Sequence, residues 1–179
     1  VNSSFNISTL PANGSLLTFT PPNTAPTYTG GNPQYLSVCQ NSSNNSINSL
    51  LQASDVDPGQ TLTWTLTTPA TNGSVTLGGT ELSTGGSVTP TGYSYTPLAG
   101  FTGSDAFAIQ VSDGFGGTAS VTIIVTVNPA PSTITGTTTV CRGLTTTLNS
   151  TPSGGTWTSG NPAVATVGGG TGIVTGVAS

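Results

Sequence analysis

Three stretches of this sequence alternate apolar residues with Thr or Ser at a period of two, and no stretch holds a helical period. TLTWTLT (61–67) places Leu62, Trp64 and Leu66 on one face. SDAFAIQVSD (104–113) does the same with Phe107, Ile109 and Val111, and GTASVTIIVTVN (117–128) with Val121, Ile123, Val125 and Val127. Successive side chains of a strand point to opposite sides, so this is the pattern of strands with one face in a core. Good helix formers are scarce, and Gly, Pro or a β-branched residue interrupts nearly every window. Turn residues separate the segments at intervals close to the ~8–12 residues of a β-sandwich. An all-β chain is expected.

Two proline-rich joints divide the 179 residues: TPPNTAPTYTGGNP (20–33) and NPAPS (128–132). Proline fixes φ and favours extended, stiff connections, so both read as linkers. The divisions expected are the end of a preceding module or a donated strand over 1–22, a linker over 23–34, and one β-sandwich over 35–128. A further β series fills 129–179: TITGTTTVC, LTTTLNS, GGTWTSG, AVATV and GIVTG. It stops before it has enough strands to close a second sandwich. The chain reads as a slice through a string of β modules, its last one incomplete. Lacking an initiator Met and a signal peptide, residue 1 is expected to fall inside a larger polypeptide.

Charged residues are 3% of the chain, where ordinary soluble domains carry roughly 25%. Arg142 is the single cation against five acidic residues, and there is no His. Nucleic-acid affinity rests on cations that neutralise phosphates, so that partner class is excluded. Polybasic membrane attachment fails for the same reason, and no apolar run approaches the ~20 residues a bilayer requires. Catalysis lacks its usual bases, leaving only carboxylates, Tyr and Cys, and the chain is read as no enzyme. Free soluble domains protect their surfaces and edge strands with charge. A chain without that protection is suited to association with copies of itself or with neighbouring modules.

The motifs carry a resemblance. DVDPGQTLTWTL followed by GGSVTPTGYSYTPLAGFTGSDAFAIQVSDGFGGTASVTIIVTVNP is similar to the cadherin-like Ig-fold repeats of large bacterial surface proteins. Those repeats carry an early D-x-D-x-G, a central Y-x-Y-T-P…G-F-x-G-x-D-x-F and a late S-D-G-x-G-G, all in order here. The segment from TITGTTTVC to TGIVTGVAS resembles the bacterial Ig-like group 2 repeat, through W-x-S-x-N-x-x-V-A-T-V…G-x-V-T-G-V-A. The V-C near its start is in the style of giant secreted proteins of Bacteroidota. The resemblance implies tandem Ig-like modules in an extracellular, cell-surface protein, either a structural segment of a fibre, filament or surface layer, or the stalk or ligand-binding segment of an adhesin.

In such a sandwich the expected strands are 47–53, 61–67, 73–77, 92–96, 104–112 and 117–128. The loop holding Asp55 and Asp57 then emerges at the same end as the turn holding Asp113. Asp105 begins the strand that ends at Asp113, some 25 Å away at ~3.3 Å per residue, and reads as a hydrogen-bond acceptor capping a turn. Asp55, Asp57 and Asp113, with Asn23 and linker carbonyls, form a candidate Ca²⁺ site of the weak extracellular kind, since Ca²⁺ takes 6–8 oxygen ligands. The competing reading is three ordinary turn aspartates. Trp64 and Trp157 alternate with Thr and read as core residues, with sugar stacking as the lesser alternative. Cys39 and Cys141 follow the two joints in similar settings, SVCQN and TVCRG, about a module apart. Direct pairing would exceed the ~7 Å Cα limit of a disulfide, so any bridge is expected to reach another partner.

Overall fold

The structure, a computed structural model, describes residues 21–178. Residues 1–20, which hold nearly all of the expected preceding module or donated strand, lie outside the described residues.

The described chain is all-β. Strands β1 (Thr27–Tyr28), β2 (Gln34–Cys39) and β3 (Asn45–Ser46) lead to a 3-10 turn at Asn48–Leu51 and to β4 (Ala53–Ser54). There follow β5 (Thr61–Thr68), β6 (Gly73–Thr76), β7 (Glu81–Leu82), β8 (Ser87–Val88), β9 (Ser94–Pro97), β10 (Gly103–Ser112) and β11 (Thr118–Asn128). A five-stranded sheet in the order β2-β11-β10-β5-β7 forms one layer, and the two short sheets β3-β9-β6 and β1-β4-β8 face it.

The long strands supply the core as their alternation predicts. Leu62 and Trp64 of β5, Phe107, Ile109 and Val111 of β10, and Val121, Ile123, Val125 and Val127 of β11 are all buried. The opposite layer answers with Ile47, Leu51, Ala53, Tyr93 and Tyr95. Tyr95 stacks on Phe107 with ring centroids 5.7 Å apart, and Trp64 meets Tyr93 edge-on at 6.2 Å. Offset and edge-on aromatic pairs of this kind contribute about 0.5–1.5 kcal/mol beyond their burial. The Trp64 indole N–H donates to the Leu51 carbonyl at 3.0 Å, so Trp64 is a core residue with its polar atom satisfied.

Three expectations require correction. Residues 47–53 do not form one strand: a 3-10 turn separates β3 from β4, because Ile47 and Leu51, four apart, both enter the core. Asn48 fixes this turn by accepting the Tyr93 N–H at 2.9 Å through its side chain. Residues 23–34 are not a free linker either. Their β1 pairs antiparallel with β4, through Thr27 opposite Ser54 and Tyr28 opposite Ala53. The Tyr28 hydroxyl also donates to the Ile109 carbonyl, so burial pushes its phenol well above the ordinary range. The third concerns β2, which runs parallel to β11, from Gln34 opposite Ile123 to Cys39 opposite Asn128.

Beyond Asn128 lie β12 (Thr145–Thr147), β13 (Ala165–Val167) and β14 (Ile173–Gly176), one three-stranded sheet in the order β12-β14-β13. Among the described residues, every fully buried hydrophobic side chain belongs to the first unit.

Candidate functional site

The two aspartate loops and the turn after β10 meet at one end of the sandwich, as the strand succession requires. Asp55 follows β4. One of its carboxylate oxygens, Oδ1, accepts the Asp57 N–H at 2.9 Å, closing an Asx turn. Pro58 and Gly59 then reverse the chain, with Gly59 at φ 86°, a conformation that suits a residue without a side chain. Asp113 ends the inward-facing row of β10. Its Oδ1 accepts the N–H groups of Phe115 at 2.7 Å and Gly117 at 3.0 Å.

These aspartates hold the incoming chain. Asn23 donates through Nδ2 to Asp113 Oδ2 at 2.9 Å, and the Thr24 N–H donates to Asp57 Oδ2 at 2.7 Å. Gln60 donates to Asn23 Oδ1 at 2.7 Å. The segment 23–24 is thus clamped between two loops that lie 56 residues apart in sequence at Asp57 and Asp113. Gly117 permits the approach: a Cβ there would run into Asp113 Oδ2 and the Ala25 backbone.

Asp55 and Asp113 are each 1% exposed, in a region where no cation stands. Burial alone would raise the Asp113 pKa, but the donors Asn23, Phe115 and Gly117 overcome it and hold the carboxyl below its ordinary 3.8. The charge is stabilised by N–H dipoles in place of a counter-ion.

The three carboxylates of the proposed cation site therefore share one end. Both Asp113 oxygens and Asp57 Oδ2 are engaged by N–H donors, and among the described residues no group of three acidic, His or Cys side chains is arranged to hold a metal ion. Two buried oxygens have no hydrogen-bond partner, Asp55 Oδ2 and Gln60 Oε1. The fit to a cation is partial: these two oxygens are free, and the rest of a coordination shell would have to come from rotating Asn23 and displacing N–H donors. Gln60 carries no signal in the sequence, because only the folded loop brings it to Asn23.

Asp105 lies at the far end of β10, on the same inward face as Phe107. It accepts N–H groups from Thr71 (3.1 Å), Asn72 (3.0 Å) and Ala106 (2.9 Å), and the Tyr95 hydroxyl at 2.8 Å. Burial and the adjacent Asp105 carboxylate push the Tyr95 phenol upward, so it stays a donor. Glu81 accepts the Thr91 hydroxyl and has no second carboxylate beside it in this network. Cys39 and Cys141 are both free thiols and both exposed.

No helix among the described residues is long and apolar enough to cross a membrane. No match was found among curated proteins. Two solved structures have related chain paths. Human CDH23 EC21-23 is 14% identical, with a TM-score of 0.40, covering 87% of this chain and 54% of that one. The protocadherin gammaB7 EC3-6 cis-dimer is 15% identical, with a TM-score of 0.34, covering 86% and 43%. The chain spans about half the length of these structures. The model of the family described as "Bacterial Ig domain" matches residues 23–126, more than half of the chain, beginning at the clamped Asn23 and ending in β11. The chain belongs to the bacterial Ig domain family.

Proposed function

We propose that this chain is a non-enzymatic structural repeat segment of an extracellular fibre, filament or surface layer. Bacterial Ig domains are typical of extracellular or surface proteins, which gives the setting. The observation that carries the reading is the path of the chain through the first unit. It enters at Asn23, fastened beside the β10–β11 turn, and leaves at Asn128, at the opposite end of β11. An eleven-residue strand spans roughly 35 Å at about 3.3 Å per residue, so entry and exit are a full sandwich length apart. Units threaded this way form a line. The clamp on residues 23–24 stiffens the entry, and a nearly uncharged surface favours lateral contact between copies.

Electron microscopy of native material tests this. Extended rods or filaments with a repeat close to two unit lengths support it, and compact particles of a single globular shape refute it. A stalk of a surface adhesin differs in remaining monomeric and extended.

A second reading concerns calcium, favoured by the unpartnered buried oxygens of Asp55 and Gln60. In it Asp55, Asp57 and Asp113 hold a weak Ca²⁺ at the entry joint, in the millimolar range of extracellular modules. A rise in melting temperature from chelator to millimolar Ca²⁺, lost in Asp55→Asn, supports that site. An unchanged melting curve removes it.

A further inference from the structure

The second unit is half covered. Its sheet β12-β14-β13 turns Val167 and Val174 toward Trp157 and Leu148, yet none of these side chains is fully buried. Two adjoining hollows of about 330 and 200 Å³ open on this face and share Leu148 and Trp157 as walls. Ile134 and Pro131 line the larger, and Val167 and Val174 the smaller. In the first unit the corresponding inward faces are sealed by an opposing layer. A three-stranded sheet with one uncovered apolar face gains stability from any element laid across it.

Resting on the reading of the chain as a self-associating repeat, we infer that this face accepts residues 15–20 of a second copy. That sequence, Ser-Leu-Leu-Thr-Phe-Thr, carries Leu17 and Phe19 two apart, hence on one side of an extended strand about 6.6 Å from each other, with Thr18 and Thr20 on the other side. Two apolar side chains at that spacing match two adjoining hollows, and neither the segment nor the lining residues carry a charge that would resist burial. The placement favours another copy over the chain's own segment. Residues 15–20 lead into the clamp at Asn23, whereas the open face follows Asn128 at the opposite end of the first unit. Head-to-tail stacking brings the two surfaces together without doubling the chain back. The contact joins unlike surfaces, so it does not close on itself and propagates into a filament. Strand addition supplies affinity through main-chain hydrogen bonds and specificity through the side-chain hollows.

The test uses the full chain in sedimentation velocity over a wide concentration range, beside a double variant, Leu17→Asp with Phe19→Asp. The wild-type chain is expected to grow into a ladder of oligomers and the double variant to remain monomeric. A synthetic peptide of residues 13–20, added to the double variant, is expected to shift Trp157 emission to the blue, because the half-exposed indole becomes covered. The same peptide with Leu17→Asp and Phe19→Asp leaves it unchanged. A monomeric wild-type chain, a double variant that assembles equally, or no response to the native peptide each overturns the inference. Small-angle scattering separates this from failure of the repeat reading: an extended rod that does not assemble removes only the strand exchange, and a compact particle removes both.

Discussion

Replacing Asp113 tests whether the incoming chain is held by charge or merely rests against the sandwich. Asp113→Ala removes the acceptor of three donors, Asn23 Nδ2 and the N–H groups of Phe115 and Gly117. Hydrogen bonds to charged groups contribute about 1.5–3 kcal/mol each, so three set an upper bound of roughly 5–9 kcal/mol. Phe115 is 69% exposed and its turn reaches water, which restores part of that loss. The expected destabilisation is about 3–5 kcal/mol, the range for breaking a buried charged network. Asp113→Asn behaves differently. Its amide oxygen still accepts from Phe115 and Gly117, and its new N–H group meets Asn23. Rotating the Asn23 amide turns Oδ1 toward that group and Nδ2 toward Gln60, whose Oε1 has no partner. Only the charge assistance is lost, about 1 kcal/mol. Urea denaturation followed by near-ultraviolet circular dichroism, with m-values checked for constancy, measures both. The reasoning fails if Asp113→Ala lies within about 1 kcal/mol of wild type, or if Asp113→Asn costs as much as Asp113→Ala.

The same carboxylate shapes the acid limb of stability. Its folded pKa lies below the unfolded value, so its contribution is present above the unfolded value and disappears as pH falls through the folded one. The Asp113→Asn chain should lose less stability than wild type between about pH 5 and 2, and parallel curves would contradict this. Gly117→Ala drives a Cβ into Asp113 Oδ2 and Ala25, and is expected to cost about 1–3 kcal/mol. Gly59→Ala, with open space around it but φ at 86°, should cost only about 1 kcal/mol, and thermal melts of the pair compare them. At the other end, Tyr95→Phe removes one donor to Asp105 and is expected to cost about 1–2 kcal/mol, while Asp105→Ala costs about 3–5 kcal/mol. A double-mutant cycle should give a coupling above about 0.5 kcal/mol, and strict additivity would show that the hydroxyl contributes nothing through Asp105.

Much of this architecture is legible in local pattern. A period of two depends only on neighbouring residues, so the inward rows of β5, β10 and β11 can be read from Leu62, Phe107 and Val121 onward. The convergence of Asp55, Asp57 and Asp113 follows too, since strands of known direction fix which loops share an end. The near absence of charge sets which partner classes the surface excludes, whatever the fold. Other features are decided by contacts between residues far apart. Ile47 and Leu51 form a turn in place of a strand because the opposing layer offers both a place in the core. The segment 23–34 has the proline content of a linker, yet Tyr28 and Asn23 find Ile109 and Asp113 more than eighty residues away. The parallel pairing of β2 with β11, the two oxygens left without donors at Asp55 and Gln60, and the open face around Trp157 likewise depend on tertiary placement. Local chemistry assigns each segment its conformation and its apolar face. Which segments meet, and which faces stay uncovered, depends on long-range packing that no window of sequence contains.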